Sequence, residues 1–210
     1  ILMYDSSTVV FRGVREKSHR LVPKVGRPES YLRGDLFKTE RELLRLFKER
    51  AIPHLRLLPR DDWEWLAVAQ HHGLATRLLD WTRNPLVAAY FAVEGDSDGD
   101  SVVYVYRNRF YLSTAKHLDP FEYPKVGKFV PPHLTERIIA QSGLFTIHPD
   151  PREPFESDDV DQIVIPKSLR RSMRHTLYSY GMHRASLFPS LDGLAAHLNW
   201  LKRARVLPPQ

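Results

Sequence analysis

Residues 61–93, DDWEWLAVAQHHGLATRLLDWTRNPLVAAYFAV, decide how this chain folds. Asp61 and Asp62 suit the N-cap of a helix, and Gly73 is placed to close that helix in a left-handed turn. Trp63, Trp65, Leu66, Ala67, Val68 and Ala69 cover more than one helical face, so the helix is expected to be buried nearly all round. A second helix starts after Thr82-Arg83-Asn84, with Pro85 in its first turn, where a missing N–H does no harm, and PLVAAYFAVE as its apolar body. Between them, QHHGLATRLLDW at 70–81 sets two histidines, an arginine and an aspartate beside Leu74, Leu78, Leu79 and Trp81. Leaving such polar groups buried and unpaired costs about 1–3 kcal/mol each, so each must meet a partner or a ligand. The segment reads as a buried hydrogen-bonded corner.

Outward from this block, Thr8–Phe11 suits a short strand that delivers Arg12 and Gly13 at its end. Pro23, Gly26 and Pro28 favour a loop up to about Arg33. Leu36–Arg50 carries apolar residues at helical spacing and stops before Pro53. The turn GDSDGD precedes SVVYVY at 101–106, a strand with both faces covered. Residues 107–132 have weak periodicity and read as irregular. RIIA at 137–140 and LFTI at 144–147 look like strands separated by Gln141-Ser142-Gly143, and QIVI at 162–165 like another. Pro166 starts a helix of about fifteen residues that Gly181 ends, and a last helix covers Leu191–Leu201. Strands scattered among helices without regular alternation predict an α+β class. The expectation is one domain over 1–210, a small mixed, mainly antiparallel sheet surrounded by helices.

The totals agree with this. A chain of 210 residues, 42% hydrophobic and 11% aromatic, buries one sizeable core. No run approaches the roughly 18 apolar residues of a membrane span, and the first twenty residues lack signal-peptide order, so no membrane partner and a cytoplasmic location are expected. The absence of cysteine excludes disulfides, thiolate zinc sites and Cys nucleophiles. A net charge of +6 suits a phosphate-bearing ligand or nucleic acid without requiring either. Basic residues thicken at 167–175 (KSLRRSMRH) and 202–205 (KRAR).

Familiar chemical signatures are missing. There is no GxGxxG and no GxxxxGK[ST]. No histidine falls in HExxH, and His71 and His72 point about 100° apart on a helix, so no metal is expected. Ser142 lacks the GxSxG context of a hydrolase nucleophile, and the paired aspartates sit in turns or caps. Three segments remain that join functional side chains to tight turns: FRG at 11–13, QHHGLATRLLDW at 70–81 and QSGLFTIHP at 141–149. Arg77 and Asp80, three apart, either pair with each other or face a ligand. Arg12 at a strand end is a bidentate donor for phosphate or carboxylate.

The order of FRG at 11–13, WEWLAVAQHHGLATRLLDWTRNPLVAAYFAVE at 63–94, PPHLTERIIAQSGLFTIHP at 131–149 and LFPSLDGLAAHLNW at 187–200 closely resembles the FRG domain family, over about residues 9–200. Ala75 stands where relatives usually have proline. The layout is in turn similar to that of ADP-ribosyltransferases, small α+β proteins with a split sheet that cleave NAD. That resemblance implies that Arg12 and Gly13 hold NAD, that Thr76 supports the nicotinamide ribose, and that Gln141 occupies the place of a catalytic glutamate. It also implies a nucleotide ligand and a protein or nucleic-acid acceptor, as in toxin or phage-defence systems. His72, Arg77 and Asp80 complete the expected cleft, with His72 either donating to the ligand or ending its helix. Glutamine brings no charge to a ribose that turns cationic as its bond to nicotinamide breaks. The loss is worth about 3–4 kcal/mol, or two to three orders of magnitude in rate, unless Asp80, Glu136 or another carboxylate substitutes. A nucleotide- or nucleic-acid-binding module without turnover is the alternative.

Overall fold

The FRG triplet lies inside a strand. A computed structural model describes residues 8–28, 34–117, 119–132 and 135–203. In it β1 runs Val10–Val14, so Arg12 and Gly13 are mid-strand and do not follow its end. The chain continues through α1 (Leu36–Ala51), α2 (Asp62–His71), β2 (Leu78–Thr82), α3 (Pro85–Val93), β3 (Ser101–Tyr106) and β4 (Gly127–Phe129). It then forms α4 (Glu136–Ala140), β5 (Gly143–Ile147), β6 (Val160–Ile165), α5 (Arg170–Ser179), α6 (Arg184–Leu187) and α7 (Leu191–Arg203). Part of the loop expected before Arg33 and the end of the basic tail at 204–205 lie outside the described residues.

The α+β class holds. The six strands form one sheet in the order β4-β5-β2-β1-β3-β6, and every neighbouring pair is antiparallel. The expected mixed sheet is thus antiparallel throughout its named strands, and an isolated bridge between Tyr111 and Lys128 supplies a parallel contact beside it. The sheet is weakest at its middle. β1 and β2 share one register pair, Phe11–Thr82, whereas β1 shares five with β3 and β2 shares five with β5. The three strands on either side, β4-β5-β2 and β1-β3-β6, are therefore joined through this one register pair.

Helices cover one face. Phe11, Val103, Val105 and Ile165 pack under α3 and α5 through Val87, Ala88 and Leu177. Leu78, Phe129, Phe145 and Ile147 pack under α2 through Trp63, Leu66 and Ala67. On the opposite face Val10, Leu79, Trp81, Val102, Tyr104 and Leu144 are covered by Leu21 and flanked by Phe155, which come from loops. Gly13 is required by the α3 contact, because a Cβ there would stand 1.9 Å from the Ala88 carbonyl oxygen.

Three local expectations need correction. The corner at 78–82 is a five-residue central strand, buried except at Asp80; an apolar run this short, lying between two helices, does not show its period. RIIA belongs to α4 and is not a strand. The Thr135 hydroxyl accepts from the Ile138 N–H at 3.3 Å and Glu136 sits in the first turn, and this cap outweighs the β-branched pair Ile138-Ile139. Gln141 caps that helix, and Ser142 turns the chain into β5 at φ 48°. The region 107–132, expected to be irregular, contributes the edge strand β4. The helix predictions fare better. α2 has Asp61 as its N-cap and Gly73 at φ 92° beyond its end, and Asn84 and Pro85 open α3 as read.

Candidate functional site

The polar corner resolves into one sealed half and one open half. Arg77 is 0% exposed and Glu40, on α1, 3% exposed. The Arg77 Nη2 donates to Glu40 Oε2 at 2.8 Å, and its Nε and backbone N–H donate to Oε1 at 3.1 and 3.0 Å. Its Nη1 reaches the carbonyls of Phe121 and Pro149, and the guanidinium carbon lies 4.8 Å from the Phe121 ring centroid. Burial pushes the Glu40 carboxyl up, against the pull of Arg77. Arg77 therefore pairs neither with Asp80 nor with a ligand. It is the clamp that fixes the approach to β2.

Asp80 is held differently. The Arg12 Nη1 donates to the Asp80 backbone carbonyl at 2.6 Å and to Oδ2 at 3.3 Å. This guanidinium crosses the gap where β1 and β2 part, in place of ladder hydrogen bonds. The Gln70 Nε2 donates to the same carboxylate at 3.1 Å. Thr76, itself buried, donates to Gln70 Oε1 at 2.7 Å and accepts from the Leu78 N–H at 3.2 Å, which fixes the Gln70 amide with its NH2 toward Asp80. Thr76 thus acts through Gln70 and is not a wall of the cavity.

That cavity has a volume of about 1280 Å³ and opens along the split. Its walls come from both faces of the sheet, from the helices on one side and from loops 18–28 and 152–154 on the other. Arg12, Gly13, Asp80 and Gln141 line it; Thr76, Arg77 and His72 do not. His72 is the exposed C-cap of α2, and its neighbour His71 faces the cavity in its stead. Burial, followed by the charges of Arg137 and His72, lowers His71 to about 4, so its imidazole is neutral at pH 7. The Gln141 Nε2 donates to the Leu187 carbonyl at 2.9 Å, and no such bond engages its Oε1 among the described residues. Seven arginines and three carboxylates line the cavity, an imbalance that favours an anionic ligand.

The remaining polar wall escaped the sequence reading. Arg137 on α4, Glu94 at the end of α3 and Arg184 on α6 join Gln70 and His71 there. The available signal was the Thr135-Glu136 cap, which sets Arg137 and Gln141 four apart on one helix face. Arg184 Nη1 bonds to Glu94 Oε1, which also accepts from the Tyr90 hydroxyl at 2.9 Å.

Among known proteins, the family model of the FRG domain matches residues 7–101. Over that stretch the chain is similar to the FRG domain. No curated protein and no solved structure gives a match. The matched part of the chain contains β1, α2, β2 and α3, and with them Arg12, Gln70 and Asp80; Arg137, Gln141 and Arg184 lie beyond it. Among the described residues no helix is long and apolar enough to cross a membrane, and no group of three or more His, Asp or Glu side chains could hold a metal ion.

Proposed function

We propose that this chain binds NAD or a related nucleotide in the split between its two half-sheets and acts as an ADP-ribosyltransferase-like enzyme. The observation that carries the reading is a large, arginine-rich cavity centred where β1 and β2 part, with the FRG arginine spanning the gap. A cleft lined with convergent polar groups at such a break is the default place for a ligand, and the arginine excess suits a pyrophosphate.

Transfer breaks the bond between the nicotinamide nitrogen and C1′ of the ribose. The bonding electrons leave with nicotinamide, and an acceptor nucleophile bonds to C1′ and gives up its proton. Asp80 is the carboxylate best disposed to offset the positive charge that develops on the ribose: its side chain is 56% exposed, in the cavity, and oriented by Gln70 and Arg12. Glu94 is spent on Arg184 and Tyr90. Gln141, with its amide nitrogen anchored, offers Oε1 to a ribose hydroxyl. The acceptor is a protein or nucleic acid. The rival reading, a nucleic-acid-binding module using the basic run at 167–175, has little support, since Arg170 is buried against the Arg15 and Gly95 carbonyls and Lys167 pairs with Asp98.

The test is incubation of the purified protein with labelled NAD and protein, DNA or RNA acceptors. Nicotinamide release and label transfer are expected, reduced at least about a hundredfold in Asp80→Asn. Release that is absent, or undiminished in that variant, overturns the catalytic reading.

A further inference from the structure

We propose that Arg137, assisted by Arg184, forms the phosphoryl-anchoring subsite of the cavity, on its helical side, and that Arg12 is instead the strap between the half-sheets. This rests on the nucleotide reading above and names the residue that would recognise the ligand's pyrophosphate.

Four of the seven cavity arginines can be compared by what already occupies their N–H groups. Arg12 spends Nη1 on two oxygens of Asp80, one of them a backbone carbonyl that no other side chain replaces. Arg152 is paired with Asp150 at 2.6 Å, and Arg184 has one nitrogen on Glu94. Arg137 has no carboxylate within ion-pair distance among the described residues. Its one bond is a long 3.4 Å contact from Nη1 to the His71 carbonyl, and its buried Nε meets no acceptor. The buried Nε of Arg184 and that of Arg12 meet none either, so what sets Arg12 apart is that its Nη1 is already committed to Asp80.

A half-buried guanidinium in that state is costly unless an anion completes it. Burial holds Arg137 below the usual arginine range, with the charges of Asp80 and Glu94 opposing and that of Arg184 adding to it, and an oxyanion at the two guanidiniums would offset that cost. The scaffold is set for that role. The guanidinium carbons of Arg137 and Arg184 lie 4.4 and 4.5 Å from the centroid of the same Phe188 ring, which confines both planar forks. A phosphate oxygen pair matches the Nε and Nη2 edge of such a fork bidentately. His71, neutral beside them, adds no charge that would oppose a second phosphate-bound arginine.

Calorimetric titration with inorganic pyrophosphate, ADP-ribose and adenosine tests the assignment on the parent, Arg137→Gln and Arg137→Lys. The parent is expected to bind pyrophosphate and ADP-ribose, and Arg137→Gln to lose about tenfold or more for both. Arg137→Lys keeps a charge but not the fork, and is expected to recover only part of the loss. It carries the test should the glutamine variant fail to fold. Pyrophosphate that does not bind the parent, or that binds the variants as tightly, overturns the subsite. ADP-ribose bound with parental affinity by Arg137→Gln overturns the subsite and leaves the nucleotide reading standing. Pyrophosphate sensitive to Arg137 without any ADP-ribose binding supports the subsite and removes the nucleotide.

Discussion

Two arginine–carboxylate pairs lie within a few residues of each other on the same approach to β2, and they do opposite things. Arg77 and Glu40 are shut off from solvent, with guanidinium, carboxylate and aromatic faces all engaged. Arg12 and Asp80 share one long side-chain bond, with 16% and 56% of their side chains exposed at a large cavity. The lesson concerns saturation rather than residue type. A pair whose donors and acceptors are all filled within the protein fixes geometry; a pair with open positions facing a cavity can respond to a ligand.

The largest expected effect is on the sealed side. Arg77→Leu strands the Glu40 carboxylate in the interior and is expected to cost about 3–5 kcal/mol in chemical unfolding. A loss under about 1 kcal/mol, the size of a surface pair, would erase the contrast between the two pairs. The next effect involves His148, which feels both arginines. The Trp81 indole donates to Thr146 Oγ1 at 2.9 Å, and that hydroxyl shares a hydrogen bond of 2.8 Å with His148 Nε2. Burial first, then the charges of Arg12 and Arg77, lowers His148 to about 3. Its ordinary value in the unfolded chain is about 6.5, so unfolding takes up a proton below that pH. Stability is therefore present above about pH 6.5 and falls as pH drops toward 3, by at most about 1.4 kcal/mol per pH unit from this residue. Urea unfolding between about pH 7 and 5 should show a shallower slope in His148→Gln than in the parent; equal slopes would mean that another group carries the acid sensitivity. The smallest expected change in stability is at the open pair. Arg12→Gln should cost no more than about 1 kcal/mol in the same assay while lowering affinity for NAD through the displaced Asp80. A large loss of stability would show that the strap across the split is the main bond between the half-sheets.

The segments that the sequence revealed best were those with local punctuation. Asp61 and Gly73 around α2, Asn84-Pro85 before α3 and the uninterrupted SVVYVY of β3 each specify their element within a few residues. RIIA misled because two β-branched residues outweigh a Thr-Glu cap only when the cap is overlooked, and that error hid Arg137. The Leu78–Thr82 strand was hidden because its ladder partners, Phe11 and 143–147, are distant in sequence. Among the expected cavity residues, Arg12, Gly13, Asp80 and Gln141 reach the cavity, while Thr76 supports it through Gln70, Arg77 is locked to Glu40, and His72 gives way to His71.

By itself the sequence determined the α+β class, the two buried helices around the corner, and the presence of an arginine and an aspartate that had to find partners there. The tertiary structure alone decided which partners. Pairing among charges is settled by distances across strands and helices far apart in the chain, and by how much water each pair keeps, and neither quantity is written in local spacing.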